Sequence, residues 1–122
     1  MNYSVFEYLY RDAGNYKAWG ALLLEGETTE AEMARIRRHL LDNEFFIAEQ
    51  IGVPVLYEQL WQQCQSEPSE ELDHVWHEFC RIREATAEDR IQLPTFGTTA
   101  ALVAAFEAVG KWDWALSRNY EL

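Results

Sequence analysis

Hydrophobic and polar residues alternate over residues 4–11, which predicts a β-strand with an aromatic face. That face consists of Phe6, Tyr8 and Tyr10. Asp12–Asn15 has the composition of a turn, because Gly14 and Asn15 both tolerate positive φ. The chain would return as a second strand over residues 16–25. Both faces of that strand are largely apolar, so we expect it to be central and covered on each side, with Gly20 marking a bulge or a close backbone approach.

The middle of the chain predicts two helices. Thr29 and Glu32 form a capping-box pattern, and the helix they begin should end near residue 42. Residues 45–47 are apolar and are expected to be extended. Pro54 suits the first turn of a second helix. Its apolar stripe would contain Val53, Leu56, Tyr57, Leu60, Trp61 and Cys64.

Residues 72–84 fit either a helix or a strand, and their β-branched and aromatic residues favour a strand over 75–82. In that strand Cys80 and Ile82 would share a face, with His77 and Arg81 interleaved. Residues 85–97 are predicted to be a polar connection, after which Thr98 or Thr99 caps a last helix, and residues 116–122 to be a loosely held tail. The predicted fold class is α+β, a single domain over 1–122: a small antiparallel sheet opened by an N-terminal β-hairpin, with about three helices packed on it.

Charge narrows the classes of partner. The formal net charge is −11, with 10 basic and 21 acidic residues, so nucleic acid and anionic membranes are not expected as partners. An acidic protein is steered towards basic ones. The beginning of the sequence lacks the features of a signal peptide, and the longest apolar run is Ala21–Leu24. Cys64 and Cys80 have neither metal-ligand nor redox spacing, so we expect a cytoplasmic protein with reduced thiols.

Three segments together resemble a group of small bacterial proteins of uncharacterised function. They are Tyr8-x-Tyr-Arg-Asp-x-x-Asn-Tyr-Lys17, Phe46-Ile-x-x-Gln-x-Gly-x-Pro54 and His74-Val-Trp-His-Glu78. The resemblance covers most of residues 8–80. It implies an α+β fold around His77 and carries no activity, cofactor or catalytic residue.

The predicted hairpin tip carries the densest set of chemically able side chains. Arg11 offers a bidentate fork, Lys17 a point charge, and Asp12 and Asn15 offer acceptors and amide donors. Together they could bind a carboxylate, a phosphate or a peptide group. Alternatively, Asp12 and Asn15 satisfy the backbone of their own turn while Arg11 pairs with Asp12.

The second candidate site is His74-Val-Trp-His77-Glu78. Two histidines beside a glutamate could begin a metal site on a helix, but the segment matches neither helical zinc-protease pattern. On a strand the two histidines would face opposite sides, with one hydrogen-bonded at the sheet edge and the other exposed. His77 and Glu78 are added to the candidate binding residues because histidine titrates near neutrality. No metal or cofactor is predicted.

Trp112 and Trp114 are candidate interface residues, because tryptophan is enriched at interaction hot spots. The alternative is that one of them closes the end of the core.

These observations favour a non-enzymatic module that binds another, basic protein, of the immunity or antitoxin kind. The alternative is a small enzyme or ligand-binding protein with a polar site formed by the hairpin tip and the His74–Glu78 segment. A homodimer is compatible with both hypotheses.

Overall fold

The computed structural model describes residues 2–64 and 74–113. Its strands form one five-stranded sheet in the order β3-β4-β1-β2-β5. They are β1 (Tyr3–Arg11), β2 (Lys17–Glu25), β3 (Phe45–Phe46), β4 (His77–Glu84) and β5 (Thr95–Thr98). The β2–β5 pair is parallel and the other neighbours are antiparallel. The predicted N-terminal hairpin is confirmed, and it pairs in continuous register from Tyr3↔Glu25 to Arg11↔Lys17.

The helices in the described ranges are α1 (Glu30–Arg37), α2 (Ala48–Ile51), α3 (Tyr57–Cys64), α4 (Ala87–Gln92) and α5 (Thr99–Glu107). α1, α3 and α5 each span at least eight residues, so the predicted α+β class with about three helices is confirmed. Both expected caps are present: Thr29 and Glu32 form the capping box of α1, and Thr98 caps α5. Among residues 2–64 and 74–113, none of the helices combines the length and the apolar composition that spanning a bilayer requires.

One face of the sheet, here called the helix side, carries the main core. Its centre is the aromatic row of β1, where Phe6 stacks on Tyr8 with ring centroids 5.0 Å apart. Phe46 and Phe106 pack against Phe6 from β3 and α5. Helices α1, α2, α3 and α5 contribute further buried side chains to this cluster, including Ile36, Ile51, Leu60 and Leu102. Strand alternation therefore separates an aromatic core from the other face, the open side.

The open side carries the charged residues of β1 and β4, and α4 packs on one end of it. There Arg83 of β4 bonds Asp89 of α4, and the guanidinium of Arg90 lies 4.5 Å from the centroid of the Tyr3 ring. At the other end, near the hairpin tip, Trp19 is 60% exposed.

The return strand β2 is an interior strand, as its apolar sequence predicted, only over the part that pairs with β5. β1 is central, and β2 pairs with β5 only from Leu23 to Glu25. Of the two readings of Gly20, the close approach is the one observed: a Cβ built there would lie 2.9 Å from the Tyr8 ring and 3.1 Å from Leu56. The apolar composition of β2 thus reflects one buried face and a half-covered open face.

The expected polar connection over 85–97 was also wrong, because it contains α4 and β5. The signal for α4 is a capping box, in which Thr86 and Asp89 bond each other's backbone N–H. β5 lacks strand alternation and owes its conformation to pairing with β2. The first helix ends at Arg37, earlier than predicted, and the short α2 was not expected.

The strand interpretation of residues 75–82 is confirmed over most of its length by β4, but its faces differ from the prediction. The pairing of β4 with β1 shifts by one residue between Glu7 and Tyr8, which is a β-bulge at Cys80. The bulge puts His77 and Phe79 on the same face as Ile82. His77 therefore faces the core and Glu78 faces the open side.

Candidate functional site

The open side at the hairpin end brings three of the predicted site residues together. The Arg11 Nε donates to Glu78 Oε2 at 3.0 Å, and Arg11 Nη1 donates to Asn15 Oδ1 at 2.7 Å. The Glu78 side chain is only 14% exposed and that of Arg11 39%. The Arg11 guanidinium thus links the tip of the hairpin to the start of β4. The alternative interpretation of the sequence paired Arg11 with Asp12 instead of Glu78.

Asp12 serves the turn itself. Its Oδ1 accepts the backbone N–H of Tyr16 at 3.0 Å, and its carbonyl accepts the N–H of Asn15. Asn15 has a φ of 67°, the left-handed conformation that asparagine tolerates well. Of the structural alternative, the part that concerns Asp12 is observed, whereas the Asn15 side chain accepts from Arg11, and Arg11 pairs with Glu78. Lys17 follows at the start of β2 with its side chain exposed.

A second carboxyl group, which the sequence did not point to, lies beside Glu78. Desolvation, together with the neighbouring Glu78 carboxylate, raises the pKa of Glu44. Glu44 belongs to a tight turn in which Asp42 and Asn43 both have positive φ, 53° and 60°, and in which Leu41 and Phe45 exchange backbone hydrogen bonds. The turn sets Glu44 next to the Arg11–Glu78 pair.

At the same end of the sheet, the ring of His74 connects the hairpin to the segment that leads into β4. Its Nδ1 accepts the N–H of Trp76 at 3.0 Å, so the ring proton is on Nε2, which donates to the Arg11 carbonyl at 2.6 Å. The backbone N–H of His74 donates to the hydroxyl of Tyr10. His74 is half-buried, not exposed, and it acts as a brace between the hairpin and β4.

His77 does not join the candidate site, because it lies on the opposite face of the sheet. It is fully buried, and its ring contacts those of Tyr8, Tyr10, Phe46 and Tyr57. Nε2 accepts the backbone N–H of Leu56 at 3.0 Å. Burial lowers the pKa of His77 to about 4, against the opposing effects of the Glu49 carboxylate and the Val75 backbone. His77 is thus a neutral core residue. One histidine of the His74–Glu78 segment was expected to be exposed, but neither is.

The rest of the open side is a chain of ion pairs. Glu7 accepts hydrogen bonds from Arg81 and Arg83, and Arg83 also makes a two-pronged pair with Asp89 at 2.6 and 3.2 Å. Burial raises the pKa of the Cys80 thiol, and the charges of Glu78 and Glu7 raise it further. Such a thiol stays protonated and is a poor nucleophile.

Two aromatic side chains stand out of this end of the molecule. Tyr16 at the tip and Trp19 on the open side of β2 are each 60% exposed. Trp19 is paired across the ladder with Leu9, which is buried beneath the open side. Large aromatic side chains left exposed on a rigid hairpin are a feature of binding surfaces.

Of the two tryptophans predicted as interface residues, Trp112 is packed and half-buried. Its indole N–H donates to the His39 carbonyl at 2.9 Å, and its ring meets Trp76 and Phe106 edge-on. This is the arrangement of a residue that closes the end of the core. Trp114 and the predicted tail at 116–122 lie outside the described residues.

The far end of the sheet holds a group of hydrogen-bonded hydroxyls that no sequence pattern predicted. Ser4 and Thr99 both donate to the Gly26 carbonyl, and Thr28 donates to Ser4. A cavity of about 240 Å³ lies beside them, bounded also by Arg83 and Glu84. These hydroxyls bond one another and the loop before α1, so they hold the fold at this end.

Chemically, the hairpin end offers a braced, mixed-charge surface with exposed aromatic rings. In the two described ranges no three His, Cys, Asp or Glu side chains are grouped to hold a metal ion. No protein-family model, curated protein or solved structure matches the chain. The geometry of this surface is therefore the basis of the functional proposal.

Proposed function

We propose that this chain is a non-enzymatic protein-binding module, a cytoplasmic regulator or inhibitor of the immunity or antitoxin kind, which binds a basic protein through its hairpin end. The observation that carries the proposal is the exposure of Tyr16 and Trp19 on a tip held in place by Arg11. Tryptophan and tyrosine are the residues most enriched at binding hot spots.

The bracing of the tip supports the proposal energetically. Binding orders flexible loops at a cost, and that cost is smaller where the loop is already fixed. Here Arg11 and His74 tie the tip to β4, and Asp12 closes the turn. The net charge of −11 favours a basic partner, because long-range attraction raises the association rate of oppositely charged proteins.

The alternative, a catalytic or ligand-binding site at the same place, has less support. The Arg11 guanidinium already bonds Glu78 and Asn15, and pairing with the Glu78 carboxylate weakens its attraction for a further anion. His77, the group that would have exchanged protons, is buried on the other face of the sheet.

The proposal is tested by affinity capture from the source cells, with immobilised wild-type protein and two variants. The test variant combines Tyr16→Ser and Trp19→Ser. The control is Ile91→Ser, which removes a side chain that is 85% exposed at the far end of the open side. We expect wild type and control to retain the same basic protein, and the test variant to bind it at least about tenfold more weakly, since losing one hot-spot aromatic costs about 2 kcal/mol.

Two results would overturn the proposal. One is that no protein is retained above the level of an unrelated acidic protein. The other is equal retention by the double variant and the wild type.

A further inference from the structure

The edge of β2 is open next to the exposed Trp19. β5 pairs with β2 only from Leu23 to Glu25, so in residues 2–64 and 74–113 no strand lies beside residues 18–22 on that edge. An unpaired edge presents backbone donors and acceptors that another strand can bind.

The hydrogen-bond ladder shows which residues present those groups. Gly26 N–H bonds the Asn2 carbonyl and Asp12 N–H bonds the Tyr16 carbonyl, in continuation of the β1–β2 register, whereas Leu23 N–H points away to Pro94. Along an antiparallel strand, residues whose backbone N–H and C=O groups point towards the paired strand alternate with residues whose groups point away from it. The N–H and C=O groups of Trp19 and Ala21 therefore point outwards, away from β1.

The outer edge of β4 is protected against the addition of another strand, and the edge of β2 is not. β3 pairs with His77 and Glu78, and the Phe79 N–H bonds the Glu44 carbonyl, so within the described residues only the part of β4 beyond Phe79 lacks an outer neighbour. That edge carries the bulge at Cys80 and the charged Arg81 and Arg83, which are devices that discourage strand addition. Residues 18–22 of β2 contain no charge, no proline and no bulge.

We propose that residues 18–22 of β2 bind one extended segment of the basic partner, which adds a sixth strand to the sheet. The inference rests on the proposed protein-binding function and names the surface used. Backbone pairing with Trp19 and Ala21 would supply the register, and the Trp19 ring would cover a side chain of the added strand. Residues 18–22 are uncharged in a chain of net charge −11, so the paired segment is apolar or β-branched and its lysines or arginines flank it.

A second copy of the chain fits this edge poorly. If Trp19 of one copy paired with Ala21 of another, the tip of the second hairpin would reach the position beside Leu23 that Pro94 and β5 occupy. Two chains of charge −11 also repel each other. A short segment of a different, basic protein meets neither obstacle.

The test uses the variant Ala21→Pro. Proline removes the outward N–H of Ala21 and its ring blocks the edge, while the ladder to β1 does not use that N–H. Ala21→Thr is the matched control, because it keeps the N–H and suits a strand. Thermal melts of both variants establish that the fold is retained.

The probe is a displayed library of linear twelve-residue peptides, selected against the wild-type protein in 0.15 M salt. We expect the selected peptides to alternate β-branched or apolar residues and to carry flanking Lys or Arg. Ala21→Pro should weaken their binding at least tenfold and Ala21→Thr should leave it unchanged. In the wild type, the backbone amides of Trp19 and Ala21 should exchange with solvent rapidly before peptide is added and slowly afterwards.

Several results would overturn the inference. Undiminished peptide binding to Ala21→Pro would place the contact elsewhere. Slow exchange of both amides in the free monomer would mean that the chain's own residues fill the edge, and a dimer that Ala21→Pro abolishes would make the occupant a second copy. If no peptide is selected but binding of the captured basic protein still requires Tyr16 and Trp19, strand addition is wrong and the proposed function stands. If binding of the captured protein does not require these residues either, strand addition and the proposed function are both wrong.

Discussion

Replacing His77 with Gln should remove a large part of this protein's sensitivity to acid. In the folded state burial lowers the pKa of His77 from 6.5 to about 4, and the ionisable groups that act on it are Glu49 and His74. Between these two pH values the unfolded chain binds the proton and the folded chain does not, so stability falls as the pH falls. Each pKa unit corresponds to about 1.4 kcal/mol, so the loss between pH 7.5 and pH 4 from this one group is about 3 kcal/mol.

Gln is the informative substitution because its amide oxygen can accept the Leu56 N–H that His77 Nε2 now accepts, and it does not titrate. The assay is urea unfolding, followed by tryptophan fluorescence, at several pH values from 7.5 to 4 for both proteins. Carboxylates that titrate in this range contribute to both curves. The quantity compared is therefore the difference between the two proteins in the free energy of unfolding lost on acidification.

We expect the wild type to lose about 3 kcal/mol more than His77→Gln over this range. Equal losses would contradict this prediction, as would an NMR titration of the His77 ring in the folded protein with a midpoint near 6.5. Either result would mean that the ring is more hydrated than its position among Tyr8, Tyr10, Phe46 and Tyr57 indicates.

Two further predictions concern the hairpin. Gly20→Ala should lower the free energy of unfolding by about 1–3 kcal/mol, because the new Cβ would lie 2.9 Å from the buried Tyr8 ring. The control Gly110→Ala should leave the free energy of unfolding nearly unchanged, because no atom lies within 4 Å of the added Cβ. Equal melting temperatures for the two variants would contradict this prediction. A double-mutant cycle of Arg11→Gln and Glu78→Gln should give a coupling energy of about 1 kcal/mol that decreases in 1 M salt, and a coupling of zero at low salt would mean that the pair does not brace the tip.

The parts of the fold that were predictable from sequence are those fixed by neighbouring residues. The hairpin follows from alternation around Asp12–Asn15, and the starts of α1 and α5 follow from Thr29 and Thr98. These signals need no knowledge of distant contacts. α4 carried a comparable signal in Thr86 and Asp89, but its six residues are too few for an apolar stripe to show.

The parts that could not be predicted depend on contacts between distant segments. One bulge at Cys80 reverses the faces of the first residues of β4, so alternation read from Ile82 places His77 on the wrong side. β5 becomes a strand only because β2 offers part of its edge. A single sequence contains no local sign of either event.

The candidate site shows the same division. Arg11, Asn15 and Glu78 were recognisable by type, and the structure brings them together. Glu44 was not, because it reaches Glu78 through a turn at Asp42 and Asn43 whose positive φ values have no strong sequence signature beyond the residue types themselves.

Site-specific photo-crosslinking shows whether a protein partner binds at the hairpin end. A benzophenone amino acid is placed at position 19 in one protein and at position 104 in a second, where Ala104 is exposed on α5. Both proteins are irradiated in the source cells. We expect a crosslink from position 19 to one basic protein and none to that protein from position 104. Crosslinking of the same protein equally from both positions, or only from position 104, would show that the partner does not bind at the hairpin end.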